Sequence, residues 1–363
     1  MTAQRKEIRV ALIGFGLAGS VFHAPLIDSV EGLRLSAIVT ANAQRRAQAM
    51  SSYPRALVFS SVEEIWKSAS DYDLVVVASP NRFHYDHAHA ALNSNLHVVV
   101  DKPVAASVQE CRDLISFSQK KNRVLSVFHN RRWDNDFLTV KKLIDDGTLG
   151  EVTRFESRYE RYRPETKANA WRESADAKDA GGLLFDLGSH LIDQACTLFG
   201  DPETVYAELH VRRPGAEVDD DVFVALHFAS GVKAHLWASS VARIKGARFR
   251  VLGLKGAYEK FGIDPQEEKL KAGILPNSAD FGSEPENAWG IVSAQVGNLA
   301  FEGKVETLPG AYKTFYSSLR DAISNDREIP VSPRDALRTM QIIEAAVKSS
   351  STGIVAQLEG TKV

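Results

Sequence analysis

Cysteine is scarce: Cys111 and Cys196 are the only two in 363 residues. Their spacing matches no metal-ligand pattern, and they form no disulfide framework. A reducing compartment suits that usage, so a cytoplasmic location is expected. No apolar run approaches the ~20 residues that a membrane span needs. The start, Met1-Thr2-Ala3-Gln4-Arg5-Lys6-Glu7, has no apolar signal core and no small-residue cleavage site. Charge of one sign is also lacking. Forty-four Lys and Arg stand against 46 Asp and Glu, a net charge of -2, so no basic field points to nucleic acid or an anionic membrane. Internal repeats and low-complexity segments are absent. What is present is core material: 44% hydrophobic residues over a length that suggests two domains.

The first third alternates short β-branched runs (8–13, 35–39, 74–78, 96–100, 124–128) with helical stretches. Ser61 with Glu64 and Ser107 with Glu110 have capping-box spacing. This rhythm predicts a doubly wound parallel sheet, a Rossmann domain over residues 1–130. After Gly150 the pattern changes to alternating stretches at 152–162, 204–212, 222–228, 232–239 and 249–254, joined by short turns. They predict an α+β domain over residues 131–363, built on a large, mostly antiparallel, open-faced sheet. Helices are expected at 183–199, 311–325 and 333–350, the last two free to pack back on the first domain.

Gly14-Phe15-Gly16-Leu17-Ala18-Gly19 directly follows the first strand and opens a helix. Glycines there permit a tight turn and let backbone amides approach a pyrophosphate at the helix N-terminus. About twenty residues further on, an NAD site carries an acid for the ribose 2′-hydroxyl. Here the second strand ends Val39-Thr40-Ala41-Asn42, followed by Arg45 and Arg46. With no carboxylate to repel a 2′-phosphate and a guanidinium able to pair with it, NADP is expected over NAD. The plainer alternative is that Thr40 or Asn42 caps a helix whose arginines face water.

Two further strand ends lie at the edge where such sheets bind ligands. Ser79-Pro80-Asn81 follows one, with His84, His87 and His89 close behind. His84 and His89 fall on different faces of the expected helix and no Cys completes a set, so no metal is expected. His84 is read instead as a cofactor contact. Asp101-Lys102-Pro103 ends the next strand. An ammonium at this edge can polarise a hydroxyl or carbonyl oxygen, and Pro103 keeps Lys102 out of helical geometry.

In the second domain, Asp186 and His190 share a helix face at i,i+4 beside an apolar stripe of Leu184, Leu187, Leu191, Ala195 and Leu198. Such a pair either serves acid–base chemistry, the carboxylate orienting the imidazole, or merely supports the fold. The residues alone leave both open. Arg158, Arg161, Arg163, Trp171 and Arg172 are candidates for a pocket wall. Asp219-Asp220-Asp221 reads as an acidic turn before a strand, and Trp289-Gly290 as a loop covering a site.

Together, the glycine turn, Asp101-Lys102-Pro103 and the Asp186/His190 helix resemble the glucose–fructose oxidoreductase and inositol dehydrogenase (Gfo/Idh/MocA) family. The resemblance spans essentially the whole chain. Phe128-His129-Asn130-Arg131-Arg132-Trp133-Asp134, Arg161-Tyr162-Arg163-Pro164, Trp171-Arg172-Glu173 and Asp219-Asp220-Asp221 look closest to its NADP-dependent scyllo-inositol dehydrogenase branch. The wider family begins the lysine motif with Glu where this chain has Asp101, which keeps the charge.

The resemblance implies a catalytic set of Lys102, Asp186 and His190. It implies a cofactor site of Gly14, Phe15, Gly16, Gly19, Thr40, Asn42, Arg45, Ser79, Pro80, Asn81, His84, Asp101, Lys102 and Asn130. Arg163, Trp171 and Arg172 would join Asp186 and His190 around a cyclic polyol or sugar. A homodimer or homotetramer through the open sheet face is expected. Two other readings remain: a cofactor-assisted epimerase or glycosidase, and a non-catalytic cofactor-sensing regulator. A regulator has no need of a lysine, an acid and a histidine at these three places.

Overall fold

Runs of branched aliphatic residues set the first architecture. Ile8–Ile13 (β1), Leu33–Val39 (β2), Leu57–Phe59 (β3), Leu74–Val77 (β4), His97–Val100 (β5) and Leu125–Val127 (β6) make a six-stranded sheet in the order β3-β2-β1-β4-β5-β6. Every pairing in it is parallel. Val10, Ala11, Leu12 and all of β4 have no exposed surface. That explains their unbroken apolar reading, since a parallel sheet is covered on both faces. Each buried Val or Leu contributes roughly 1.5–3 kcal/mol. The strand order reverses between β1 and β4, which opens a crevice at their carboxyl ends.

The computed structural model describes residues 7–166 and 171–360. The chain groups into two compact units. The first comprises the chain up to Asn130 with Gln266–Phe281 and Tyr312–Ala336; the second comprises Arg131–Pro265, Gly282–Ala311 and Leu337–Val363. The helix Lys313–Asn325 therefore belongs to the first unit, and most of Pro333–Thr352 to the second. Within the first unit, Ser126 Oγ donates to the Val331 carbonyl at 2.8 Å, which ties the returning segment beside β6. Ser107 caps its helix as its spacing predicts, accepting the Glu110 amide at 3.2 Å.

The second unit is built on Val152–Glu160 (β7), Pro202–His210 (β8), Asp221–Phe228 (β9), Lys233–Ser239 (β10), Phe249–Gly253 (β11), Gly256–Lys260 (β12), Gly290–Val296 (β13), Leu299–Val305 (β14) and Ala356–Gln357 (β15). They form one nine-stranded sheet, β14-β13-β12-β11-β7-β10-β9-β8-β15. It is antiparallel except where β10 pairs parallel with β7. Alternate residues such as Phe155, Leu226, Leu236 and Val251 are buried on its inner face. There Phe199, at the end of the helix Ser189–Phe199, meets Phe155 and Phe228 with ring centroids 5.6 and 5.5 Å apart. On the outer face Phe223 and Trp237 pair at 5.2 Å, and the Arg158 guanidinium sits 3.9 Å over Trp237. Arg158 thus lies on the sheet's outer face, because strand alternation turns it away from Tyr159, which is buried. Gly290 opens β13 rather than lying in a loop, packed so closely on the Tyr258 ring that a Cβ would collide with it.

Candidate active site

The first unit offers a cradle. Gly14 follows β1 with φ +101°, and a Cβ there would strike the Ala78 carbonyl. A Cβ on Gly19 would strike the Gly14 carbonyl. Both positions therefore need glycine, for the turn and for close packing. A Cβ on Gly16 would meet only Arg45 Nη1, at 3.7 Å. The loop thus keeps its backbone bare as it enters the π turn Ala18–His23, ahead of the α-helical Ala24–Asp28. This arrangement fits a diphosphate held by backbone N–H groups. Phe15 is buried beside the loop, edge-on to Tyr53 at 6.2 Å.

Past β2, Thr40 is buried, and the Asn42 side chain accepts the Arg45 amide at 3.0 Å, capping Ala43–Ser52. Arg46 Nη1 donates to the Ala41 carbonyl at 2.7 Å. Arg45 is exposed and is the one whose guanidinium reaches Gly16. Asn42 thus does the capping, while the Arg45 guanidinium stands over the glycine loop.

His84 is fully enclosed, with Nδ1 2.7 Å from the Pro103 carbonyl and Nε2 2.8 Å from the Ser79 carbonyl. Its ring nitrogens lie between the two loops that carry Ser79-Pro80-Asn81 and Asp101-Lys102-Pro103. Burial lowers its pKa, against the pull of both carbonyls and of Asp101. His87 meets Ser79 Oγ at 3.1 Å and His89 stacks on Phe117 at 4.3 Å. Asp101 Oδ1 accepts the Lys102 amide at 2.8 Å, and the Lys102–Pro103 peptide is cis. Asn81 and Asn130 are both buried. Among the described residues, no group of three or more His, Cys, Asp or Glu is placed to hold a metal.

In the second unit Asp186 is met by Arg172 and Arg161. The expected single helix is divided: Leu184–Gly188 is a π turn carrying Asp186, and Ser189–Phe199 is α-helical with His190 buried in its first turn. π turns of this kind are frequent at functional sites. Asp186 Oδ1 lies 3.5 Å from Arg172 Nε and Oδ2 lies 3.9 Å from Arg161 Nη2. Burial lowers the Arg161 pKa and neighbouring Arg163 and Arg213 add to the effect, while Asp186 and Glu173 oppose it. Arg172 also stacks over Trp171 at 4.2 Å. Arg163 donates its amide to the Ser240 carbonyl at 2.7 Å, next to the bridge between Tyr162 and Val241. Carboxylate, imidazole, paired guanidiniums and indole together suit a ligand rich in hydroxyls.

Sequence reasoning missed the supports of both halves. The Tyr316 hydroxyl meets His23, and the acids before β9 hold the turn that carries Asp186. The triple aspartate was the signal for the second; nothing local signals the first.

Comparisons with known proteins follow the same division. Residues 8–129 match the family described as "Oxidoreductase family, NAD-binding Rossmann fold". Residues 141–358 match "Oxidoreductase family, C-terminal alpha/beta domain", from the same Gfo/Idh/MocA group. The scyllo-inositol 2-dehydrogenase (NADP(+)) IolW of Bacillus subtilis is 37% identical over 355 residues, 97% of this chain and 96% of that one. The oxidoreductase YdgJ of Escherichia coli is 38% identical over 344 residues, 95% of this chain and 96% of its own. The solved structure of the oxidoreductase yvaA from Bacillus subtilis superposes with TM-score 0.93 at 35% identity, covering 98% of this chain and all of that one.

Proposed function

The chain belongs to the Gfo/Idh/MocA family of oxidoreductases, and from that membership we propose an NADP-dependent dehydrogenase acting on a secondary hydroxyl of a cyclic polyol, an inositol such as scyllo-inositol. One observation carries the reading: the Asp186 carboxylate is fixed beside Arg172 and Arg161 on the turn that leads into His190. The substrate class is supported by the name of the Bacillus subtilis relative, and NADP by Arg45 over a glycine turn with no acid at the end of β2. Two buried, unbridged cysteines favour a cytoplasmic setting.

The glycine turn, Arg45 and the Ser79–Asn81 loop hold the dinucleotide, which when bound supplies the acceptor for hydride from the carbinol carbon. His190 takes the hydroxyl proton as that carbon is oxidised. Lys102 stabilises the negative charge that develops on the oxygen. Asp186 accepts from a neighbouring hydroxyl and keeps the imidazole oriented. Arg163, Trp171 and Arg172 line the ring.

A panel of inositols and aldoses, assayed separately with NADP and NAD, tests the proposal through net formation of the reduced cofactor. His190→Ala should lower kcat by about 10²–10⁴-fold while NADPH binding, followed by fluorescence, stays within about twofold of wild type. Unchanged turnover would remove His190 from this role.

A further inference from the structure

Two adjacent carboxylates before β9 hold the two segments that flank Asp186. Asp219 Oδ2 accepts the Leu184 N–H at 2.7 Å, and the Asp219 carbonyl accepts the Leu183 N–H at 2.9 Å. Residue 219 thus closes the amino end of the π turn with both side chain and backbone, where free N–H groups and the helix dipole favour an anion. The approach depends on Gly182. Its φ is +92°, and a Cβ there would collide with the Asp219 carboxylate.

Asp220, with no exposed surface, supports the other flank. It accepts the amides of Arg212 and Arg213 at 2.7 and 3.0 Å and Arg213 Nε at 2.9 Å. The Arg213 guanidinium continues to both Glu173 oxygens, at 3.2 and 2.9 Å, and to the Glu165 carbonyl at 3.2 Å. Glu173 adjoins Arg172, whose side chain faces Asp186 and whose carbonyl accepts the Gly182 amide at 3.0 Å. The contacts close a circuit from Asp219 through the turn to Asp186, across to Arg172, and back through Glu173 and Arg213 to Asp220. Fork-to-fork pairing makes the Arg213–Glu173 link directional as well as strong. The carboxylate oxygens are met by N–H donors, which is the work of a brace and not of a cation site.

We propose that Asp219 and Asp220 are positioning residues for the dehydrogenase reaction: Asp219 sets the turn that carries Asp186 toward His190, and Asp220, through Arg213 and Glu173, sets Arg172 against Asp186. The inference rests on Asp186 and His190 being reacting groups, as argued above. Burial raises the Asp219 pKa to about 6, against the pull of the Leu184 amide. That agrees with a carboxylate committed to few partners away from water.

The test uses the full chain with two independent readouts, hydrogen exchange of amides 182–190 and steady-state kinetics. Asp219→Ala should speed exchange in that segment about 10-fold, as loss of a helix cap does. It should lower kcat about 10²-fold, the scale of a small misplacement of catalytic groups, with dinucleotide binding unchanged. Asp219→Asn, which can still accept the Leu184 N–H, should recover most of both. In a His190→Ala background, Asp219→Ala should change kcat by no more than about twofold, because groups acting as a unit are not additive. Should Asp219→Ala fail to fold, Arg213→Lys carries the test: it keeps the charge but loses the fork to Glu173, and should raise KM for the polyol more than it lowers kcat. Unaltered exchange at 182–190, or a full additive loss on His190→Ala, overturns the proposal. A wild-type protein that oxidises no polyol refutes the assignment of Asp186 and His190, and the exchange result still decides whether Asp219 positions the turn.

Discussion

Nδ1 of His23 stands 2.6 Å from the hydroxyl of Tyr316, across 293 positions of sequence. Neither residue has exposed surface. Phe128 packs its ring 4.3 Å from His23 and meets Phe315 edge-on at 5.0 Å. Burial holds the His23 pKa down at about 4 despite the upward pull of Asp101, and lifts the Tyr316 phenol well above its ordinary value. The contact under the glycine-loop helix is therefore uncharged at neutral pH.

That neutrality gives stability an acid limb. In the unfolded chain His23 binds a proton below about 6.5, whereas folded it does so only near 4. Between those values the unfolded state holds more protons, so stability is full above about 6.5 and falls as pH drops toward 4. The contribution is on the order of 3 kcal/mol. Denaturant unfolding at pH 7 and pH 5 should show a smaller loss in His23→Gln than in wild type. Identical losses would mean the limb arises elsewhere.

A second prediction concerns Lys260, fully buried at the end of β12. Its ammonium lies 3.0 Å from Glu284 Oε1 and donates to the carbonyls of Phe261 and Ala288 at 2.8 and 2.6 Å. Glu284→Ala would leave that charge buried without its counter-ion, at a cost of about 3–5 kcal/mol. Changing Lys260 to Met together with Glu284 to Leu should restore most of the loss. Urea midpoints of the single and double variants check this, and a double variant as weak as the single would contradict it.

Legibility in the sequence follows how local each signal is. Strands β1, β2, β4, β5 and β6 announce themselves because a covered parallel sheet demands continuous apolar runs. The glycine turn is readable because Gly14 and Gly19 meet atoms that forbid a side chain. By contrast β3 has three residues, and Leu299 to Glu302 at the start of the edge strand β14 are all exposed, so no alternation marks it. Strand β12 ends in the buried charge of Lys260, which reads as polar. The site divides in the same way. Lys102, Asp186 and His190 stand in recognisable local settings, but Asp219, which holds the turn carrying Asp186, comes from a distant segment. Tyr316 and Arg213 carry no local mark of their partners. The division of the helix at Gly188 is equally hidden, because π and α turns share the same apolar periodicity over so few residues.

The outer face of the nine-stranded sheet leads to a third prediction. Phe223 and Trp237 are partly exposed on it, and Ile291 is exposed on the same face further along the sheet, toward the β14 edge. Apolar surface of this kind marks a protein contact, and a second copy of the chain is the occupant expected from the sequence. Light scattering at micromolar concentration should give the mass of a dimer or tetramer. Phe223→Glu with Trp237→Glu should shift it toward the monomer, and a wild-type monomer would refute the assignment.

Arg45 makes the cofactor preference measurable. Its guanidinium hangs over Gly16, while its own amide is held by Asn42, so the side chain can be removed without uncapping Ala43–Ser52. A charge-assisted pair with a 2′-phosphate contributes roughly 1.5–3 kcal/mol, so Arg45→Ala should weaken NADPH about 10- to 100-fold and leave NADH nearly unchanged. Arg45→Asp should go further and favour NADH, since a carboxylate there repels the phosphate and can accept from a ribose hydroxyl. Fluorescence titrations of both reduced cofactors, at low and at moderate salt, separate the outcomes. The NADPH advantage of wild type should shrink as salt screens the exposed guanidinium. Equal weakening of both cofactors would show that Arg45 supports the loop instead of reading the phosphate, and an unaltered ratio would move the phosphate away from this helix altogether.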